Sequence, residues 1–334
     1  MRRFVICLAL VIDHFSICVA QEMQVIKEHK QQKFPDEIPA GNYSGITLMG
    51  DDRYAVVSDK SEEDGFFVFR ILLDSVTGNI ISVENEGFRS SGMRNRDSEG
   101  IAYVPDTQTL FVSGEKGNEI KEYTLDGQLT GRKLAIPAVF AKAKGNLGFE
   151  SLTYDAEQKL FWTTTESALP GEGRVLRLQS FGLDMEPKGQ FLYEMDDSLS
   201  ERPLVMGVSA ICALDGGRLL VLEREAKVTK LKIGSWVHCK LYVVNPTAKP
   251  SGTLTDTDGT PSEKAITKEL LTEFRTKINL TRRNFANYEG MCMGPRLADG
   301  SRTLLMIADS QDQHGGILRD WLKVLVIKPY RVTE

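Results

Sequence analysis

The chain has 334 residues, of which 41% are hydrophobic and 26% charged, and its formal net charge is −5. These proportions suit a globular protein with a large buried core and exclude a disordered or collagen-like chain. No block of lysine and arginine stands out, so nucleic-acid binding has no electrostatic basis.

The first residues read as a secretory leader. Met1-Arg2-Arg3 is a basic start, Phe4 to Ile12 is apolar, and Cys18-Val19-Ala20 ends on small residues, which places cleavage after Ala20. Asp13 and His14 break the apolar run, so it is too short to span a membrane. A lipid anchor at Cys18 would want small residues before it, and Phe15-Ser16-Ile17 fits that poorly. The expectation is a leader over 1–20 and a single exported domain over 21–334, periplasmic or secreted, with no transmembrane span.

A strand is predicted at Met23–Glu28. A short phrase then recurs, as Tyr43-Ser44-Gly45-Ile46, Ser98-Glu99-Gly100-Ile101, Phe149-Glu150-Ser151-Leu152, Val208-Ser209-Ala210-Ile211 and Tyr288-Glu289-Gly290-Met291. After each copy comes a turn and an apolar run with a polar or acidic end: Tyr54–Asp59, Leu110–Glu115, Leu160–Glu166, Leu219–Glu223 and Leu304–Asp309. In the second unit, Glu119–Leu125 and Leu129–Ile136 flank Asp126-Gly127, a strong hairpin signal. The third unit continues through Arg174–Gln179 and Gln190–Glu194, and the fourth through Lys240–Val244 and Ile266–Thr272. Pro137–Lys144 and Lys264–Phe274 each have room for a turn or two of helix. An insert loop over about 245–262 is rich in Pro, Thr, Asp and Gly.

Repeats of this length, somewhat above the ~40–50 residues of a propeller blade, predict an all-β fold of four-stranded blades. Five units give a five-bladed β-propeller. A sixth blade follows only if the stretch 245–287 hides a degenerate one. The last unit lacks a fourth strand, and Met23–Glu28 is expected to complete it, which removes the exposed edge.

One slot of the repeat holds a carboxylate at Glu99, Glu150 and Glu289 and a serine at Ser44 and Ser209. A closed ring brings equivalent positions toward its axis. Crowded carboxylates need a cation, a proton or an arginine. Oxygen donors favour Ca²⁺ or Mg²⁺, so Glu99, Glu150 and Glu289 are the candidate metal ligands, with Ca²⁺ the expected cofactor. Glu223 and Asp309, at second-strand ends, are candidate further ligands or bases, and Arg96 and Arg224 are candidates to hold a substrate anion. The alternative is that the glutamates tie neighbouring blades together. His29, His238 and His314 are the only histidines past the leader, with no HExxH or G-x-S-x-G pattern, which argues against transition-metal or serine-triad chemistry. Asp256-Thr257-Asp258-Gly259 lacks the closing Glu of a calcium loop and reads as polar loop. Cys212 and Cys292 share one repeat position, which leaves open either a disulfide between neighbouring blades or two small buried side chains.

The chain resembles the phytase-like family known as "esterase-like activity of phytase". The resemblance rests on Arg96-Asp97-Ser98-Glu99-Gly100-Ile101, Asn146-Leu147-Gly148-Phe149-Glu150-Ser151-Leu152, Gly217-Arg218-Leu219-Leu220-Val221-Leu222-Glu223-Arg224-Glu225 and Asn287-Tyr288-Glu289-Gly290-Met291. It runs from about Tyr43 to Ile327. It implies an exported β-propeller with hydrolase activity on esters or phosphate esters. The expected function is a metal-assisted hydrolase of a small-molecule ester or phosphoester, acting as a monomer; the rival is a non-catalytic propeller that binds a ligand or protein.

Overall fold

The computed structural model describes residues 21–143, 148–246, 265–281, 283–311, 313 and 318–331. The leader, most of the insert with Asp256–Gly259, and His314 lie outside the described residues.

The chain enters with β1 (Gln21–Glu28) and the short β2 (Gln32–Lys33). Blade I follows as β3 (Tyr43–Gly50), β4 (Arg53–Ser58), β5 (Glu63–Leu73) and β6 (Ile80–Arg94). Blade II is β7 (Ser98–Val104), β8 (Thr109–Gly114), β9 (Glu119–Thr124) and β10 (Leu129–Lys133). A 3₁₀ turn at Ala138–Lys142 leads to blade III: β11 (Phe149–Asp155), β12 (Leu160–Thr165), β13 (Val175–Gly182) and β14 (Pro187–Glu194). Blade IV is β15 (Val205–Leu214), β16 (Arg218–Lys227), β17 (Trp236–Val244) and β18 (Lys268–Lys277), and blade V begins with β19 (Asn287–Arg296), β20 (Arg302–Asp309) and β21 (Trp321–Arg331).

Local chemistry explains the turns. Asp51 and Asp52 both take positive φ, at 49° and 59°, between β3 and β4. That is the backbone a right-twisted two-residue hairpin turn demands, and aspartate tolerates it. Second strands such as β12, Leu160-Phe161-Trp162-Thr163-Thr164-Thr165, are buried along nearly their whole length. Such a strand has a neighbouring blade on each face, so its sequence runs apolar rather than alternating. The expectation of helical turns over 264–274 is not met: the segment continues as β18, paired to β17 from Val244↔Lys268 to Trp236↔Lys277.

The innermost strands β3, β7, β11, β15 and β19 pack one against the next, and β19 returns to β3. The result is a closed ring of five blades. β1 completes blade V, lying antiparallel to β21 with Gln21 opposite Arg331 and Glu28 opposite Leu325. Closure leaves blade V with no missing strand, as the strand count of the sequence implies.

The core is distributed between blades. Phe111 of blade II meets Phe161 of blade III with ring centroids 4.4 Å apart, and full burial of such a side chain stabilises by about 1.5–3 kcal/mol. Cys212 and Cys292 follow the same plan and are not bonded: all three described cysteines are free. Cys212 packs with Met291 and Met293 in one apolar cluster, whereas Cys292 packs with Ile46 and Ile307 in another. Equivalent positions in consecutive blades therefore fill consecutive seams, and no bond joins the two thiols.

Candidate functional site

Each innermost strand carries an irregularity where the repeat phrase lies. The pairing register slips between Tyr43 and Gly45, between Ser98 and Ile101, between Phe149 and Ser151, between Val208 and Ala210, and between Tyr288 and Gly290. A bulge frees one residue from the ladder and re-aims its side chain. The slot that holds Ser44, Glu99, Glu150, Ser209 and Glu289 falls at that place in every blade. The small residue after it is needed because the inner strands nearly touch: a Cβ on Gly45 would sit 2.3 Å from the Glu99 carbonyl oxygen, and one on Gly100 would sit 2.5 Å from the Leu152 nitrogen.

Glu99, Glu150 and Glu289 consequently border one narrow axial space, together with Ser44 and Ser151. The space admits little more than one water-sized sphere. The two serine slots act as ties. Ser44 Oγ donates to the Ser98 carbonyl at 2.7 Å, and Ser209 Oγ donates to the Tyr288 carbonyl at 3.0 Å, each bridging to the next blade.

Further acids surround the glutamates at the same mouth. Asp59, Glu115 and Glu166 each follow directly on a second strand, and Asp309 ends one. Burial, then the fields of Glu289 and Asp59, pushes the Glu99 carboxyl well above the usual range. Burial, then Glu99 and Glu166, does the same to Glu150. Asp309 is raised by burial and by Glu289, and its Oδ1 accepts the Gln311 N–H at 2.7 Å. Burial raises the Glu115 carboxyl, and its Oε1 accepts the Gly148 N–H at 3.1 Å. Asp59 is bonded by Lys60 through one oxygen at 2.5 Å, and its buried Oδ1 has no hydrogen-bond partner.

Arg224 is the buried cation of the cluster. Its Nη2 donates to Glu166 Oε1 at 2.6 Å, and its Nη1 donates to Asn287 Oδ1 at 2.8 Å and to Glu289 Oε1. Burial works against its charge, but Glu289 and Glu166 overcome that and raise its pKa. Arg224 is thus tied through both Nη atoms to blades III and V, while its buried Nε has no hydrogen-bond partner. Arg96 is committed as well: Nε lies 3.1 Å from Asp64 Oδ2, and Nη2 lies 3.0 Å from Tyr123 Oη. The two arginines expected to grip a substrate both make bonds within the fold.

Glu223 departs from expectation for a simple reason. It neighbours Arg224 on β16, and successive residues of a strand face opposite sides. Its oxygens accept bonds from Tyr193 Oη at 2.6 Å and Lys268 Nζ at 2.5 Å, and from the Asp196 N–H at 3.1 Å, in a separate polar knot. It is not part of the axial cluster. The acidic end of each second-strand run is legible in the sequence: Asp59, Glu115, Glu166 and Asp309 come to this mouth, and Glu223, which the same pattern groups with them, does not.

The donors at this mouth are all oxygens, with an unpartnered Asp59 Oδ1 and glutamates crowded by like charge, a chemistry that suits a hard divalent cation. Among the described residues no three acids stand in a chelating arrangement.

Comparison with known structures finds several of slight likeness. The chain is similar to an endo-arabinase from Bacteroides thetaiotaomicron at 13% identity and TM-score 0.46, covering 92% of this chain and 99% of that one. It is similar to a luciferin-regenerating enzyme at 11% identity and TM-score 0.42, over 93% and 98% of the two chains. It is also similar to a chain of a nidogen/laminin complex at 11% identity and TM-score 0.40, over 85% and 84%. Likeness at this level bears on neither chemistry nor substrate. No curated protein matches the chain. A family model does, across residues 38–311, and with the repeat phrases and the ring of acids inside that span, the chain belongs to the phytase-like family described as "esterase-like activity of phytase".

Proposed function

We propose that the acidic mouth is a hydrolytic centre for small esters or phosphoesters and that it works with a divalent cation, calcium being the ion its donors suit. The observation that carries this reading is the buried pair Glu99 and Glu150, both raised by burial and by neighbouring carboxylates and neither in an ion pair among the described residues. Buried carboxyls with no cation beside them are costly in a structural element and useful in a reactive one. The candidate ligands are Glu99, Glu150 and Glu289, with Asp59 Oδ1 an unpartnered oxygen near them; they do not stand in a chelating arrangement, so a cation would have to draw them together and take Glu289 from Arg224. A bound cation would supply Lewis acidity to a carbonyl or phosphoryl oxygen.

The chain's own groups divide the remaining work. Glu115 and Glu150, both raised by burial, are the groups that would give and take a proton. Asp309, raised by burial, is a second proton store at the mouth. The axial space has no room for an organic group, so the body of a substrate would rest above it.

Turnover of p-nitrophenyl acetate and p-nitrophenyl phosphate, with calcium and with EDTA, tests the reading. Calcium-dependent turnover that is lost in Glu150→Gln supports it. No turnover of either compound, with calcium failing to shift the melting temperature, would defeat it. A non-catalytic binding propeller is the second reading, favoured by Arg224, which uses Glu166 and Glu289 as ties between blades.

A further inference from the structure

The protein is anionic overall, yet one surface cavity has cations as its only charged lining. The turn 228–235 joins β16 to β17, and the loop 278–286 joins β18 to β19. Backbone bonds clamp them together: Gly234 N–H to the Ile278 carbonyl at 2.7 Å, and Ile278 N–H to the Ser235 carbonyl at 2.9 Å. The cavity beside them is lined by Ile233, Leu280, Lys33, Lys232, Arg283 and Arg319, and no carboxylate borders it. Lys33, Arg283 and Arg319 form no ion pair among the described residues.

Apolar side chains stand beside these cations in water. Leu231 is 85% exposed, Leu280 88% and Ile233 55%. The segment that presents Leu231 is not slack. Thr229 Oγ1 donates to the Ile233 carbonyl at 2.8 Å, the Thr229 N–H donates to Ser235 Oγ at 3.0 Å, and Gly234 takes the positive φ of 87° that the turn requires. A turn fixed by its own bonds thus holds a leucine outward against the hydrophobic effect.

We propose that this patch seats the protein on an anionic phospholipid surface. Leucine and isoleucine enter the acyl boundary while lysine and arginine take the lipid phosphates, the combination that peripheral anchoring uses. A small soluble anion would fill the cavity but leave Leu231, which does not line it, in water. A second copy of the chain would set like charges face to face, because a two-fold interface pairs a patch with itself. No helix among the described residues is long and apolar enough to cross a membrane.

Vesicle co-sedimentation tests the proposal. The purified protein should pellet with vesicles containing phosphatidylglycerol and stay in solution with phosphatidylcholine alone. The paired variant Leu231→Ser, Leu280→Ser, at positions whose exposure spares the fold, should lose roughly tenfold in binding. Arg283→Gln with Arg319→Gln should weaken it and flatten its salt dependence. Equal binding to both vesicles, binding to neither, or undiminished binding by the leucine variant overturns the proposal. So does a dimer in light scattering that the leucine variant abolishes, or glycerol phosphate raising the melting temperature without any vesicle binding.

Discussion

Arg224 Nη2 lies 2.6 Å from Glu166 Oε1, so a side chain of β16 bonds the blade before its own. The same guanidinium reaches Glu289 on the blade after it. One cation therefore joins three consecutive blades at the axis.

Arg224→Leu should be among the most damaging single changes away from the apolar core. It leaves Glu166 and Glu289 buried without their partner, a situation that costs about 3–5 kcal/mol. Thermal denaturation should show a large drop in midpoint. Arg53→Leu, at an exposed pair with Glu86, should leave the midpoint nearly unchanged.

Glu99→Gln should act the other way in metal-free buffer. At pH above its raised value Glu99 carries a charge that Glu289 and Asp59 oppose, so the neutral amide should stabilise the ring there by about 1 kcal/mol. The same change should weaken any calcium-induced rise in midpoint. A variant that is less stable without calcium would show that Glu99 is a net structural asset.

Stability should also respond to pH in a definite sense. Glu99 and Glu150 hold their protons more tightly when folded than at the usual value of 4.5. Their benefit is full below that value and fades as pH climbs through the raised folded values. Asp196 behaves oppositely: burial would raise it, but bonds from Lys240, Lys268 and Tyr242 hold it below 3.8. Its contribution is lost as pH falls under that value. Melting temperatures should therefore peak at about pH 5 and decline toward alkaline pH, with the alkaline decline shallower in Glu99→Gln.

The free thiols allow a chemical check. Burial pushes Cys212 and Cys239 up to about 12, and Cys292 is raised by burial as well. A thiol-specific reagent should label none of the three in the native protein and all three in denaturant, with no reductant present. Dithiothreitol should not move the melting temperature.

The fold was legible because its unit is repeated. Each copy of the phrase, each turn and each apolar run supported the same reading, and the missing last strand pointed to Met23–Glu28. Convergence of Glu99, Glu150 and Glu289 was legible for the same reason, since equivalent slots of a ring share an axis. The arginines were not. Arg224 sits beside Glu223 in sequence, but strand alternation sends one to the axis and the other to Tyr193 and Lys268, and a repeat pattern says nothing about which residue of a pair turns inward. Nor does sequence order reveal that Cys212 and Cys292 fill different seams, because a shared repeat position fixes the seam type and not the seam. The clamp between 228–235 and 278–286 depends on loops that follow no repeat.

The pairing of β1 with β21 also has a bearing on biosynthesis. The strand that emerges early from the ribosome has as its partner the segment Trp321–Arg331, so the circle stays open until that segment has been made. Folding of blade V must wait on contacts between stretches far apart in the chain, and such contacts are slow to form. Until they form, the unpaired edge of β21 is a hazard for self-association, and a nascent chain held unfolded by a partner would be spared it.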